Sequence, residues 1–144
     1  MLQTQLSNMI QRLSVELTNR CSKGCSFCYN QSNELGGTKW LPDEVIGFVK
    51  DCAEHGIEAV SFGGGEPLQY DQLDYVLTAL KGSLFRSITT NGLQLTNERL
   101  DRLANSAPDK VHVSIHFPED MVEVQRVVKK VLQLDLQGAS RSWE

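Results

Sequence analysis

Hydrophobic and polar positions along this 144-residue chain follow two periods, and each period predicts one kind of element. Alternation of every second residue predicts strands, and a period of about 3.6 residues predicts helices. Strands are predicted over 12–18, 57–62, 85–90 and 110–117. Helices are predicted over 41–55, over 71–81, between Thr96 and Pro108, and around 124–131. Because strands and helices alternate along the chain, we expect parallel strands joined by helical crossovers.

The order of these elements predicts an α/β fold, an incomplete parallel (β/α) barrel of about four βα units. The whole chain is expected to form a single domain, with a core over 12–138 and a tail over 139–144. This tail has no apolar alternation, so we expect no fifth strand and infer truncation after the fourth unit. The fourth strand would then be an open edge, which invites oligomerisation or a completing chain.

Composition excludes several classes of function. The hydrophobic content of 40%, the charged content of 22% and the net charge of −4 are ordinary for a globular protein. The sequence has no basic stripe interleaved with aromatic residues, so we expect no nucleic-acid-binding surface. No apolar run approaches the roughly 20 residues that span a membrane. The first eleven residues have no signal-peptide core, so we expect a cytoplasmic protein in a reducing compartment.

Three cysteines, Cys21, Cys25 and Cys28, lie within eight residues, directly after the first predicted strand. Thiolates bind soft metals, and cysteines this close can converge on one iron-sulfur cluster. Three ligands leave one iron of a 4Fe-4S cluster open to a substrate or cofactor. A zinc site or buried free thiols are the alternatives, although zinc needs a fourth ligand. Cys52 stands on the apolar stripe of a predicted helix, where a packed core thiol is expected.

A glycine-rich stretch follows the second predicted strand, with the sequence Gly63-Gly64-Gly65-Glu66-Pro67. Glycine tolerates unusual backbone dihedrals and lets the backbone approach a ligand closely. Glu66 then adds a carboxylate. By itself the stretch also fits a tight strand-to-helix turn without a ligand. The carboxyl ends of parallel strands meet at one edge, so this stretch and the cysteines are predicted to be neighbours.

The spacing Cys-x3-Cys-x2-Cys, with Phe27 before the last cysteine, resembles the signature of the radical S-adenosylmethionine (radical SAM) enzymes. Two further stretches, Gly64-Gly65-Glu66 and Thr89-Thr90-Asn91-Gly92, are similar to motifs of that family, and the resemblance runs from about residue 12 to 138. It implies that Cys21, Cys25 and Cys28 bind a 4Fe-4S cluster. The open iron would be chelated by the amino and carboxylate groups of S-adenosylmethionine.

The resemblance also implies contacts to S-adenosylmethionine at the ends of successive strands. Phe27 would lie near the adenine, and Ser114, predicted to point inward, would hydrogen-bond the ribose. The residues implied for the amino group are Gly64, Gly65 and Glu66. Asn91 is a further candidate from its strand end. His116 is expected either to contact the ligand or to be hydrogen-bonded within the barrel.

The activity implied is reductive cleavage of S-adenosylmethionine to a 5′-deoxyadenosyl radical, which abstracts hydrogen from a substrate. Relatives modify peptides or proteins, or assemble cofactors, and draw electrons from a reductant such as flavodoxin or ferredoxin. The residues also leave open a non-catalytic iron-sulfur binding fragment or interaction module, or a zinc-binding domain. Detection of 5′-deoxyadenosine separates the enzyme from these alternatives.

Overall fold

In the part of the chain that the structure describes, a parallel sheet of five strands, with helices between the strands, makes up the fold. The computed structural model describes residues 11–19, 39–92, 96–115, 118–137 and 142–143. The strands are β1 Arg12–Glu16, β2 Ala59–Gly63, β3 Phe85–Thr90, β4 Lys110–Val113 and β5 Ser142–Trp143. The helices are α1 Pro42–Glu54, α2 Leu73–Ala79, α3 Asn97–Ser106 and α4 Met121–Gln137, with short 3₁₀ turns at Pro67–Gln69 and Pro118–Asp120.

The strands lie in the order β1-β2-β3-β4-β5, and every neighbouring pair is parallel. In their register Val15 lies opposite Phe62, and Phe62 lies opposite Ile88. The predicted α/β class with a parallel sheet is confirmed. Because all strands run the same way, their carboxyl ends meet at one edge of the sheet, where active sites of such folds gather.

One hydrophobic core lies between the sheet and the helices. Alternate strand residues, including Val15, Val60, Phe62, Ile88 and Val111, pack there and are almost fully buried. The helices contribute the apolar stripes that their 3.6-residue period predicts. The helix residues in the core are Val45, Ile46, Val49, Leu73, Val76, Leu77, Leu100, Leu103 and Val127. Among the described residues, no helix is long and apolar enough to cross a membrane.

Local sequence sets where the helices begin and end. Pro42 occupies the first turn of α1, where its missing N–H costs nothing, and the Leu41 N–H donates to Glu44 Oε1 at 3.3 Å. Gly56, with φ of 105°, ends that helix in a left-handed conformation. At α3, Thr96 Oγ1 accepts from the Arg99 N–H at 3.1 Å, as the predicted N-cap requires.

Two expectations about the end of the chain are wrong. β4 ends at Val113 rather than near residue 117, because its neighbour β3 ends at Thr90 and offers no further ladder partner. The tail, expected to supply no strand, pairs Ser142 and Trp143 in parallel with Lys110 and Val111. A ladder is formed by backbone groups, so two residues need no apolar alternation to join it.

Candidate functional site

Four chain segments meet at the carboxyl edge of the sheet. They leave β1 at residues 17–19, β2 at residues 64–66, β3 at residues 91–92 and β4 at residues 114–115. Cys21, Phe27, Cys25 and Cys28 lie outside the described residues, as does His116. The described part of the chain therefore defines where the cysteine segment leaves and rejoins the sheet, and what stands beside it.

The two ends of the cysteine segment are held together at the end of β1. Thr18 and Lys39 form an antiparallel bridge, and the Trp40 N–H donates to the Leu17 carbonyl at 3.1 Å. The Tyr70 hydroxyl donates to the Trp40 carbonyl at 2.7 Å and ties this junction to the chain that follows β2. The segment with the cysteines thus begins and ends at the same edge of the sheet as the glycine stretch.

A cleft of about 300 Å³ opens at this junction. It is lined by Glu16, Thr18, Asn19, Lys39, Trp40 and Glu44. The Trp40 ring stacks on Phe48 of α1, with ring centroids 5.8 Å apart, so one aromatic wall is braced by the helix. The cleft offers carboxylates, a lysine and a hydroxyl next to the place where the cysteine segment starts.

The glycine stretch makes a turn whose backbone favours glycine. Gly64 and Gly65 have φ of 66° and 61°, in the left-handed region. A Cβ at Gly64 would lie 2.2 Å from Cγ of Glu16, the residue that ends β1. Both conditions favour glycine, for its dihedral freedom and for the close approach of the neighbouring strand. The backbone of the turn is half-buried at the sheet edge, where a ligand can reach it.

The Glu66 carboxylate points into the protein and is 1% exposed. Its Oε1 accepts from the Thr90 hydroxyl at 2.6 Å and from the Leu68 N–H at 3.2 Å. Its Oε2 accepts from the Asn91 N–H at 2.8 Å. Three donors on one buried carboxylate provide the hydrogen bonds that burial of a charge requires. Glu66 thereby links the end of β2 to the end of β3.

Thr90 is the point at which the predicted site residues converge. Its carbonyl accepts from the Ser114 N–H at 2.8 Å, and its hydroxyl donates to Glu66. The structure therefore brings the glycine turn, Asn91 and Ser114 together, whereas the contacts of Phe27 and the cysteines fall outside the described residues. Thr90 itself was not predicted as a site residue. Its place just before Asn91-Gly92, at the end of a strand, was the available signal.

Within the described part of the chain, no group of three or more His, Cys, Asp and Glu side chains could hold a metal ion. Cys52 lies half-buried on α1, consistent with a thiol packed at the margin of the core.

Sequence comparison finds relatives that are named GTP 3′,8-cyclase. A probable GTP 3′,8-cyclase of Methanocella arvoryzae is 38% identical over 106 residues, which are 74% of this chain and 34% of that protein. The GTP 3′,8-cyclase of Aquifex aeolicus is 34% identical over 123 residues, which are 81% of this chain and 38% of that protein. The chain thus spans about a third of the length of these relatives.

Structural comparison shows the same fold in solved proteins. Streptococcus suis SuiB bound to S-adenosylmethionine matches with a TM-score of 0.73 at 18% identity, over 99% of this chain and 35% of that one. Native anSMEcpe with bound S-adenosylmethionine and a peptide matches with a TM-score of 0.63 at 15% identity, over 85% of this chain and 40% of that one. The family model of the radical SAM superfamily matches residues 15–133, and the chain belongs to that superfamily.

Proposed function

We propose that this chain forms the cluster- and S-adenosylmethionine-binding part of a radical SAM enzyme. One observation carries the proposal: the anchored ends of the cysteine segment and the Gly64–Glu66 turn lie at the same carboxyl edge of a parallel sheet. A ligand held by the turn would stand beside the cysteine segment. The family match over residues 15–133 supports the same conclusion.

Cys21, Cys25 and Cys28 are the proposed ligands of a 4Fe-4S cluster. Their spacing supports this assignment, and the described residues hold no competing group of metal ligands. The cluster, when bound, supplies the electron that reductively cleaves S-adenosylmethionine to a 5′-deoxyadenosyl radical. The protein contributes binding, orientation and exclusion of water.

The methionine end of S-adenosylmethionine is assigned to the turn, with Gly64, Gly65 and Glu66 as the residues proposed to hold its amino group. Gly64 and Gly65 are half-buried and have left-handed dihedrals, which lets the backbone approach a ligand closely, and the Glu66 carboxylate beside them has the charge that complements an amino group. Phe27 is assigned to the adenine and Ser114 to the ribose. Asn91 is assigned to the same binding surface. Ser114 and Asn91 both adjoin Thr90, which supports a shared binding surface.

The substrate is proposed to be a polar small molecule, with a nucleotide as the first to test. The relatives named GTP 3′,8-cyclase support this choice. The register places Ser14 opposite Ser61 and Ser61 opposite Ser87, on the sheet face away from the helices. The hydroxyls of Ser14 and Ser61 suit a hydrogen-bonding substrate, whereas Ser87 is 2% exposed and its hydroxyl donates to the Val60 carbonyl at 3.5 Å. Peptides are the alternative class, since SuiB has been solved with a precursor peptide.

Partners and location follow from the proposed chemistry. We infer a cytoplasmic protein that receives electrons from a reductant such as flavodoxin or ferredoxin. We also propose association through the β4 side of the sheet, where β5 pairs with two residues of β4 and where Ile115, just after β4, is 52% exposed. Sedimentation tests this association: an Ile115→Glu variant should shift an oligomer toward monomer, and a monomeric parent protein contradicts the proposal.

The decisive experiment is anaerobic reconstitution with iron and sulfide, followed by metal analysis. We expect about four irons and four sulfides per chain, the content of one 4Fe-4S cluster. A Cys21/Cys25/Cys28→Ala variant should lose them, and the matched control Cys52→Ala should keep them. Stoichiometric zinc without sulfide contradicts the proposal.

Catalysis is tested on the reconstituted protein with dithionite and S-adenosylmethionine, by chromatography of 5′-deoxyadenosine. Product formed in a cysteine-dependent way supports the enzyme, and its stimulation by GTP over peptides supports the nucleotide class. A cluster-replete protein that forms none is a binding module.

A further inference from the structure

Thr90 joins the glycine turn to the neighbouring strand through a chain of hydrogen bonds. The Gly92 N–H donates to Thr90 Oγ1 at 3.1 Å, and the Thr90 hydroxyl lies 2.6 Å from Glu66 Oε1. A hydroxyl carries one proton, so accepting from Gly92 leaves that proton for the carboxylate. Thr90 and Glu66 are 2% and 1% exposed, so water does not compete for these bonds.

Further hydrogen bonds to Glu66 fix the orientation of its carboxylate. The Asn91 N–H donates to Oε2 at 2.8 Å, while the Leu68 N–H and the Thr90 hydroxyl share Oε1. Hydrogen bonds to a charged acceptor in a buried setting are strong, and a linked chain strengthens its members. Glu66 directly follows the left-handed turn, and Thr90 and Asn91 at the end of β3 bind its carboxylate. The end of β3 therefore fixes the position of the turn.

We propose that Thr90 is a positioning residue for S-adenosylmethionine, which acts through Glu66. It holds the carboxylate and the backbone of Gly64 and Gly65 in the arrangement that receives the amino group of the ligand. This inference rests on the proposed function of the turn. Thr90 itself need not touch the ligand, since its hydroxyl hydrogen bonds are used within the protein.

The test is calorimetric binding of S-adenosylmethionine to the reconstituted protein. Thr90→Val keeps the shape and removes the donor, and should weaken affinity by about tenfold, the loss of one hydrogen bond to a charged group. Thr90→Ser restores the donor and should bind within about twofold of the parent protein. The control is Ser106→Ala, which removes a buried hydroxyl that donates to the Leu103 carbonyl at 2.9 Å on α3 and should leave affinity unchanged.

A double-mutant cycle separates positioning from simple destabilisation. If Thr90 acts through Glu66, then Thr90→Val combined with Glu66→Gln should bind no more weakly than Glu66→Gln alone. Additive losses overturn the inference, as does an equal loss in Ser106→Ala. Should Thr90→Val not fold, Thr90→Cys, a much weaker donor of similar size, takes its place.

The outcomes for the two proposals differ. A parent protein that carries its cluster but does not bind S-adenosylmethionine overturns the proposed function, and the role of Thr90 with it. A parent protein that binds, together with a Thr90→Val variant that binds equally well, overturns the role of Thr90 alone.

Discussion

Gly64 stands against Glu16 so closely that a Cβ at Gly64 would lie 2.2 Å from Cγ and 2.3 Å from Cβ of Glu16. The preceding residue, Gly63, is the ladder partner of Glu16, so the turn passes directly over the end of β1. β1 also leads into the cysteine segment. The glycine turn therefore packs against the end of the strand that leads into the cysteine segment, and Glu16 limits the side-chain volume that position 64 can hold.

Gly64→Ala should lower the free energy of unfolding by about 2 kcal/mol or more. The left-handed φ costs an L-residue roughly 1–2 kcal/mol, and the contact with Glu16 adds to this cost. Urea unfolding followed by circular dichroism measures the change. The matched control is Gly63→Ala, where a Cβ meets nothing within 4 Å, and its effect should stay below about 1 kcal/mol. Equal losses in both variants would show that the Glu16 contact does not matter.

Arg86→Met should destabilise the protein by about 3 kcal/mol or more, because it leaves several buried acceptors without a donor. Arg86 is 2% exposed, and its guanidinium donates to the carbonyls of Leu77, Ser106 and Ala107 and to Asp109. It thereby satisfies orphan carbonyls at the ends of α2 and α3. Thermal and urea unfolding check the prediction.

The control for Arg86 is Arg126→Met on α4. Arg126 pairs with Glu123 on an exposed helix face, and such pairs contribute about 0.5 kcal/mol. If Arg86→Met lowered the free energy of unfolding no more than Arg126→Met does, water would be replacing the hydrogen bonds of the buried guanidinium.

Local periodicity predicted the elements that depend on local sequence. β3 has the predicted bounds of 85–90, and Leu73, Val76 and Leu77 of α2, with Leu80 directly after that helix, are fully buried, as their spacing indicates. The bounds of β4 and the strand at 142–143 were missed because each is set by a neighbouring strand. Arg86 shows the same limit, since a charged strand residue gives no sign of the carbonyls that bury it.

The residues of the candidate site could likewise be predicted from the sequence, but the hydrogen bonds between them could not. Glycines and a carboxylate after a strand indicated the turn, and the parallel fold indicated which edge it occupies. The bond between Glu66 and Thr90 joins residues 24 positions apart and depends on the register of β2 and β3. Sequence patterns report which face a residue takes, but not which partner it meets there.

The pKa of His55 should lie above its ordinary value of 6.5. The hydrogen bond to the Asp51 carbonyl is the main cause, and the Asp51 charge adds to it, so both favour the protonated ring. The stability that His55 contributes is fully present below the unfolded pKa and is lost as pH rises through the raised folded value. An NMR titration of the imidazole measures this pKa, and Asp51→Asn should lower it. A value at or below 6.5 in the parent protein would contradict the assigned contacts.

Tyr70→Phe should loosen the junction of the cysteine segment and lower the free energy of unfolding by about 1 kcal/mol. The Tyr70 hydroxyl donates to the Trp40 carbonyl at 2.7 Å, and the side chain is 3% exposed, so water cannot easily replace the bond. Burial also raises the pKa of Tyr70, and the charge of Glu44 adds to this shift. The matched control is Tyr75→Phe. The Tyr75 hydroxyl donates to Asp43 at 2.9 Å, but the residue is 51% exposed, so its loss should lower the free energy of unfolding by less than about 0.5 kcal/mol. Because Trp40 rejoins the sheet beside the cysteine segment, Tyr70→Phe should also speed the loss of iron from the reconstituted protein in the presence of a chelator, while Tyr75→Phe should not. Equal rates of iron loss in the two variants would place the junction outside the proposed cluster site.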